Sequence, residues 1–403
     1  MSRASKLTLG EGDMRVNAAV ALLIISAAFS GCFEEDDGFQ WPEPTSSECE
    51  LESDELGCTT IIEGSETPHR SLINPLTGNQ WILYLNGYVK SWDGQTLDWA
   101  VDLSEVVNRC HMEQGLLGMA LEADFENTGT VLISYIEDGT CEGPNQSDLI
   151  LASIKIDEMD TFDLDTLTVL LRVNQPYRNH NGGHLIHAGD NNFLWGIGDG
   201  GSSDDPLLNG QNSSNPLGTM YYVKFEDNTV SPAVDTGAGD PYVLHHGLRN
   251  PWRFDLDPDG GLWIADVGQA CWEEVNLVNL TVPANLGWSD REGFYEFADD
   301  GKCRPSQPEV GPNYTDPVVV YPHENGNCSI TGGFWMDWGP EILQEGFLYG
   351  DFCTGSIWVL REQSGVWSEE YIGTSGGMIV GFGKSLSDDL LIFHWTGQVV
   401  LIG

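Results

Sequence analysis

Six short segments of one kind recur along the chain and limit what it can fold into. Gln80–Gly87, Thr130–Ile136, Asn192–Gly198, Gly261–Val267, Gly346–Asp351 and Asp389–Trp395 each join an aromatic or β-branched core to a Gly, Asp or Asn turn. Such cores fit the pleated surface of a strand, and the turn residues reverse the chain. With 48 glycines, 14 tryptophans and few stretches of helical period, the chain reads as all-β. Six unequally spaced strand-and-turn units predict a six-bladed β-propeller, which protects its sheet edges by radial repetition. A large β-sandwich is the competing architecture. Nothing in residues 68–403 reads as a linker, so this part is one domain.

The first 67 residues have a different character. Arg15 precedes a mainly apolar run from Ala18 to Phe29, too short to span a bilayer comfortably, and then Ser30-Gly31-Cys32. This resembles a lipobox, so residues 1–32 read as a lipoprotein-type signal segment with lipid attachment at Cys32. Met14 sits where such a signal would begin. Residues 33–67 are acidic, proline-bearing and weakly apolar, the composition of a tether. The expected location is the outer side of the cytoplasmic membrane, the periplasm or the cell surface, with membrane contact only through the anchor.

Charge excludes one class of partner. The chain carries 62 acidic and 17 basic residues, a formal net charge of −45. Nucleic acid is not expected, because phosphate binding needs clustered Lys and Arg. The acidity fits a solvated surface suited to salty surroundings, or dedicated calcium sites, and does not separate the two. Nine cysteines less a lipidated Cys32 leave an even number, as suits an oxidising compartment. Spacing suggests Cys49–Cys58, Cys110–Cys141, Cys271–Cys303 and Cys328–Cys353, with connectivity open.

Chemistry concentrates between Asn179 and Asp205. Leu194–Gly198 reads as a strand that ends at Asp199, and His180 precedes a short strand over His184–His187. Antiparallel pairing would bring His180 and Asp199 to the same end of one sheet. An imidazole beside a buried carboxylate is the usual general-base pair, since the carboxylate fixes the tautomer and stabilises the imidazolium. The plainer reading is a turn histidine and a turn aspartate. His184, His187, His245 and His246 are not expected to share a metal, because alternate strand positions face different ways.

Six motifs occur in order: Gln114-Gly-Leu-Leu-Gly118, Asn179-His-Asn-Gly-Gly183, Gly198-Asp-Gly-Gly201, Gly247-Leu-Arg-Asn-Pro-Trp-Arg253, Asp266-Val-Gly-Gln269 with Glu273-Glu274-Val-Asn276, and Asn285-Leu-Gly-Trp288. Together they resemble the glucose/sorbosone dehydrogenase family, soluble sugar dehydrogenases that use pyrroloquinoline quinone (PQQ) and calcium. The resemblance implies a six-bladed propeller with its site at one mouth, a sugar substrate of aldose type oxidised to its lactone, and an external electron acceptor. It matches His180 to the base, Asp199 to the carboxylate that orients it, Arg249 to the arginine on the quinone oxygen, and Asn250 to a cofactor contact. It matches the carbonyls of Gly268 and Gln269 to the cofactor's calcium, and Glu273, Glu274 and the Leu286 carbonyl to a structural calcium.

The chain also departs from that pattern. The family's lysine and arginine pair, which clamp the PQQ carboxylates, would fall near Cys353 and between Ser375 and Phe382. The latter stretch, SGGMIVGF, has no basic residue. Cys328-Ser-Ile-Thr-Gly-Gly333 with Gly350-Asp-Phe-Cys353 resembles instead a branch that includes Hedgehog-interacting-protein-like propellers. A dehydrogenase and a non-catalytic propeller binding a carbohydrate or protein ligand are therefore both expected readings.

Overall fold

A computed structural model describes residues 46–141, 147–157, 160–297 and 313–403. They form six sheets of four or five antiparallel strands, arranged as a six-bladed β-propeller. Blade 1 runs through Pro68–Ile73, Gln80–Tyr84, Tyr88–Trp92 and Leu97–Asp102, and blade 2 through Leu116–Leu121, Thr130–Ile136, Asp148–Ile156 and Phe162–Asn174. Blade 3 begins at Gly182–His187 and Asn192–Ile197, and blade 4 at Pro251–Leu256 and Gly261–Asp266. Blade 5 begins at Ile330–Met336 and Gly346–Asp351, and blade 6 at Ile379–Lys384 and Leu390–His394. Every one of the six recurrent sequence segments is the second strand of a blade. Among the described residues the helices are single turns, Phe125–Thr128 and Glu341–Leu343, and none is long and apolar enough to cross a membrane.

The second strands build the core because both of their faces are covered by neighbouring blades. Trp81, Trp195, Trp263, Phe347 and Phe393 come from these strands and are fully buried. Trp263 stacks on Phe347 of blade 5 with ring centroids 5.4 Å apart, and Trp195 Nε1 donates to Ser134 Oγ of blade 2 at 2.8 Å. Aromatic side chains carry large buried areas, so such pairs supply much of the adhesion between blades.

The amino-terminal segment corrects the expected domain boundary. Cys58–Ile62 pairs with Val399–Ile402 as the outermost strand of blade 6, and Glu50–Leu51 pairs with the outer strand of blade 5. The Cys49–Cys58 disulfide joins the two additions. Residues 46–67 therefore belong to the propeller, and the ring is closed by chain from its own beginning. The Thr59-Thr60-Ile61-Ile62 run has the β-branched composition of a strand, hidden in sequence among acidic neighbours. The lipobox, Cys32 and residues 33–45 lie outside the described residues. The Cys110–Cys141 and Cys328–Cys353 pairings are present, whereas Cys303 lies outside the described residues.

Candidate functional site at one mouth of the propeller

His180 and Asp199 meet as antiparallel pairing requires. Gly182 is opposite Ile197, which places the loop before the first strand of blade 3 beside the end of its second strand. The two chains touch at Gly198, where a Cβ would lie 2.0 Å from the His180 carbonyl oxygen, so only glycine fits. His180 takes a left-handed backbone, φ 54°, and its Nδ1 lies 2.7 Å from Asp199 Oδ1. Both side chains are buried. Asp199 accepts two further hydrogen bonds, from Gly201 N at 2.9 Å and from Trp288 Nε1 at 2.8 Å. Those donors stabilise the ionised carboxylate. Nδ1–H therefore points to Asp199, and Nε2 keeps its lone pair.

Arg249 and Asn250 are held in the turn before blade 4 by one carboxylate. Asp266 accepts from Arg249 N at 2.9 Å and from Asn250 N at 2.7 Å. Asp199 N donates to the Arg249 carbonyl at 2.8 Å, so the two loops are stitched together. Arg249 Nη1 donates to the carbonyls of Val267 (3.1 Å) and Gly268 (2.7 Å), and the guanidinium lies 5.5 Å from the centre of the Trp288 ring. These contacts turn the Gly268 carbonyl toward Arg249. Asn250 Oδ1 accepts from Gly182 N at 3.1 Å.

Glu113 joins the site without any signal in the motifs. Its Oε2 accepts from the backbone N of His180 at 2.7 Å and from Asn250 Nδ2 at 3.0 Å. A residue that acts on a neighbour's backbone leaves no spacing pattern. Its position one residue before the Gln114-Gly-Leu-Leu-Gly118 motif was the available cue.

The carboxylates expected to hold a structural calcium are separated. Glu273 and Glu274 are consecutive on one strand and face opposite sides of the sheet. Glu273 accepts from Gly268 N at 3.1 Å and Ile330 N at 2.9 Å and pairs with His323 Nε2. Glu274 turns the other way, to Asn276 Nδ2 at 2.8 Å and Gly293 N at 3.0 Å. It lines a pocket with Arg249, Asp266, Gly268, Trp272 and Trp288. Burial raises the Glu274 carboxyl to about 7, and burial together with Glu274 raises Asp266. Glu292 belongs to this pocket too, and its Oε1 accepts from the backbone N of Gln269, Ala270 and Cys271 at 2.7–3.0 Å. Gln269 bonds Asp204 through its side-chain amide, and Leu286 N donates to His246 O. Among the described residues, the three-member His, Cys or carboxylate grouping is Cys328, Asp351 and Cys353, in which both cysteines are committed to a disulfide. The four histidines set aside above go to separate surroundings: His184 and His245 are buried, His187 bonds Asp190 O and His246 is half-buried.

The mouth of blades 5 and 6 holds the disulfide Cys328–Cys353 at the expected lysine position, and SGGMIVGF at the expected arginine pair. A cation reaches blade 6 from elsewhere. Arg109, in the connection from blade 1 to blade 2, lies 5.3 Å from the Trp395 ring and donates to Asn86 Oδ1 and Thr67 Oγ1.

A family model described as Glucose / Sorbosone dehydrogenase matches residues 75–351. The chain is 27% identical over 261 residues to HIPL2 protein of Arabidopsis thaliana, covering 58% of the chain. It is 26% identical over 212 residues to quinoprotein glucose dehydrogenase B of Acinetobacter calcoaceticus (47% of the chain) and 25% identical over 298 residues to human Hedgehog-interacting protein (68% of the chain). It spans 35%, 43% and 39% of the lengths of these relatives. The PQQ-bound aldose sugar dehydrogenase from Streptomyces coelicolor has the same fold, with a TM-score of 0.67 at 17% identity over 86% of this chain and 97% of that one. From its motifs, its propeller and these matches, the chain belongs to the glucose/sorbosone dehydrogenase family, which includes Hedgehog-interacting-protein-like members.

Proposed function

We propose that this protein is an extracytoplasmic dehydrogenase that oxidises an aldose-type sugar to its lactone with PQQ and calcium, passing electrons to an external acceptor. The observation that carries this reading is the buried His180–Asp199 pair beside Arg249 at one mouth. His180 Nε2 takes the hydroxyl proton from the sugar, and Asp199 holds the ring and stabilises the imidazolium. A positioned base contributes about 10²–10⁴-fold. Arg249 offers a fixed positive charge where negative charge develops, which in a dry site is worth several kcal/mol. PQQ, when bound, supplies the hydride acceptor.

The residues present fit an anionic ligand and a hard cation. Arg249 Nε, Arg291 Nε and Nη1 and Trp272 Nε1 are buried donors without a protein acceptor. Glu274, Asp266, Glu292 and the carbonyls of Gly268 and Gln269 are the oxygen donors calcium prefers. Glu273, Glu274 and the Leu286 carbonyl are the proposed donors for a separate structural calcium, with Glu273 and Glu274 on opposite faces of one strand.

A second reading is favoured by the mouth of blades 5 and 6, where a disulfide takes the place of a basic clamp. It makes the propeller a non-catalytic module for a carbohydrate or protein ligand. A titration with PQQ up to tens of micromolar, with calcium present, separates the two. The dehydrogenase reading expects binding and aldose-dependent dye reduction, with His180→Ala abolishing turnover while cofactor binding survives. Absence of binding by the folded protein overturns it.

A further inference from the structure

Two arginines outside the mouth site lie on the innermost strands of the propeller. Arg70 is on the innermost strand of blade 1 and Arg253 on that of blade 4, which stands opposite in the ring. Arg70 Nη1 lies 2.9 Å from Nε2 and 3.2 Å from Nδ1 of His184 on blade 3, and the same Nε2 lies 3.2 Å from Phe254 O of blade 4. Arg253 Nη2 donates to His69 Nδ1 of blade 1 at 2.8 Å, and Nη1 to the Trp252 carbonyl at 2.6 Å. The contacts of Arg70, His184 and His69 run between different blades, so the four side chains span the axis. The inner strands approach closely here: a Cβ at Gly381 would lie 2.0 Å from His69 O, and one at Gly332 2.8 Å from Arg253 O. His69 and His184 are buried, and Arg70 and Arg253 are 9% and 3% exposed.

The charge in this bore is not balanced. Guanidinium only donates, and its acceptors here are neutral imidazoles and backbone carbonyls. Both histidines are held neutral, by burial first and then by the two arginines. Arg172, Arg291 and Arg361 each pair with a carboxylate, whereas among the described residues Arg70 and Arg253 do not. Arg70 Nε and Arg253 Nε are enclosed without a protein acceptor. One carboxylate is in reach of the field: Asp255 attracts Arg70, but it accepts from Trp335 N, and burial raises it to about 7. Two guanidinium groups thus face one carboxyl that burial raises to about 7, in a protein with 62 acidic residues to draw on. A buried charge without a counter-charge is strongly unfavourable, and an ion that supplies one is bound in proportion.

We infer that the bore binds a small inorganic anion of the halide class between Arg70 and Arg253, as a structural ligand that joins opposite blades. Both arginines are buried, and the donors open to a ligand are guanidinium N–H groups.

The test uses the full chain with calcium held constant. Thermal unfolding is followed in sodium chloride and in sodium methanesulfonate at equal ionic strength, because screening of the −45 surface acts in both salts. Chloride should raise Tm by roughly 3 °C more, saturably. Asp255→Asn should sharpen the chloride dependence several-fold by removing the competing carboxylate, and Arg253→Met should abolish it. Crystals soaked in bromide should show an anomalous peak between the two guanidinium groups. Equal Tm in both salts with no peak in the bore, or peaks on the surface alone, overturns the site. If Arg253→Met does not fold, the wild-type and Asp255→Asn arms and the bromide map still decide. None of these measurements depends on PQQ.

Discussion

Glu113 fixes the position of His180 through its backbone and leaves its imidazole to Asp199: Oε2 accepts from His180 N at 2.7 Å. The same oxygen takes Asn250 Nδ2, so one carboxylate in the connection from blade 1 to blade 2 aligns loops of blades 3 and 4. Glu113→Ala leaves two donors unpaired and should destabilise the fold by about 1–3 kcal/mol in urea unfolding. In the dye-reduction assay it should lower kcat more than it raises KM, because the base is no longer held. Glu113→Gln retains an acceptor and should fall between alanine and wild type. An alanine variant with unchanged stability and turnover contradicts the alignment role.

Trp288 matters to the site through one hydrogen atom. Its Nε1–H donates to Asp199 Oδ2, the oxygen that His180 does not use. Trp288→Phe keeps most of the packing and removes that donor, which should cost about 1–3 kcal/mol because a buried carboxylate oxygen loses its partner. Trp99→Phe, at an exposed position, should change stability by less than about 0.5 kcal/mol. Denaturant midpoints of the two variants measured side by side check the contrast.

Asp351 should outweigh the disulfide it sits beside. Its carboxylate is fully buried and accepts from the backbone N of Cys328, Ser329, Cys353 and Thr354 at 3.0–3.1 Å. The Cys328–Cys353 bridge closes a separation of 25 residues, worth about 3 kcal/mol in the chain-entropy model. The double Cys→Ser variant should lower Tm but fold. Asp351→Ala strands several buried amides at once and should lower it further. A smaller effect from Asp351→Ala than from the double serine variant runs against this ranking.

Acid should destabilise the protein through buried neutral histidines. Burial lowers His111 and His394 to about 4 and His245 to about 3. A folded pKa below the unfolded value near 6.5 means that the unfolded chain binds the proton first. The contribution is complete above pH 6.5 and is lost as pH falls toward 4, by up to about 1.4 kcal/mol per pH unit for each group. His245→Asn should flatten that slope by about one proton. Urea unfolding between pH 4.5 and 7.5 reads it directly, and an unchanged slope would falsify the assignment to His245.

The propeller was legible because its second strands are covered on both faces and so carry continuous aromatic and β-branched runs. The closing strand Cys58–Ile62 was not, since its partner Val399–Ile402 lies at the far end of the chain. His180 and Asp199 were readable because adjacent antiparallel strands place them together. Glu273 and Glu274 are neighbours in sequence, but the pleat sends them to opposite faces. Arg70, in Pro68-His-Arg-Ser-Leu-Ile73, looks like the polar half of an alternating strand, and no local pattern reveals that this half faces the propeller axis.

Ring closure by residues 58–62 also sets an order for biosynthesis. Blade 6 needs both Cys58–Ile62 and Ile379–Ile402, so it cannot form until residue 402 has emerged. Early blades can gather contacts as they appear, but the first strand must wait, its hydrogen-bonding edge unpaired, until the last one arrives. Contacts of such sequence separation are slow to form. The long wait leaves a β-branched edge open to wrong partners. The Cys49–Cys58 bridge can form from the first segment alone, holding the waiting strand next to the chain that will join blade 5.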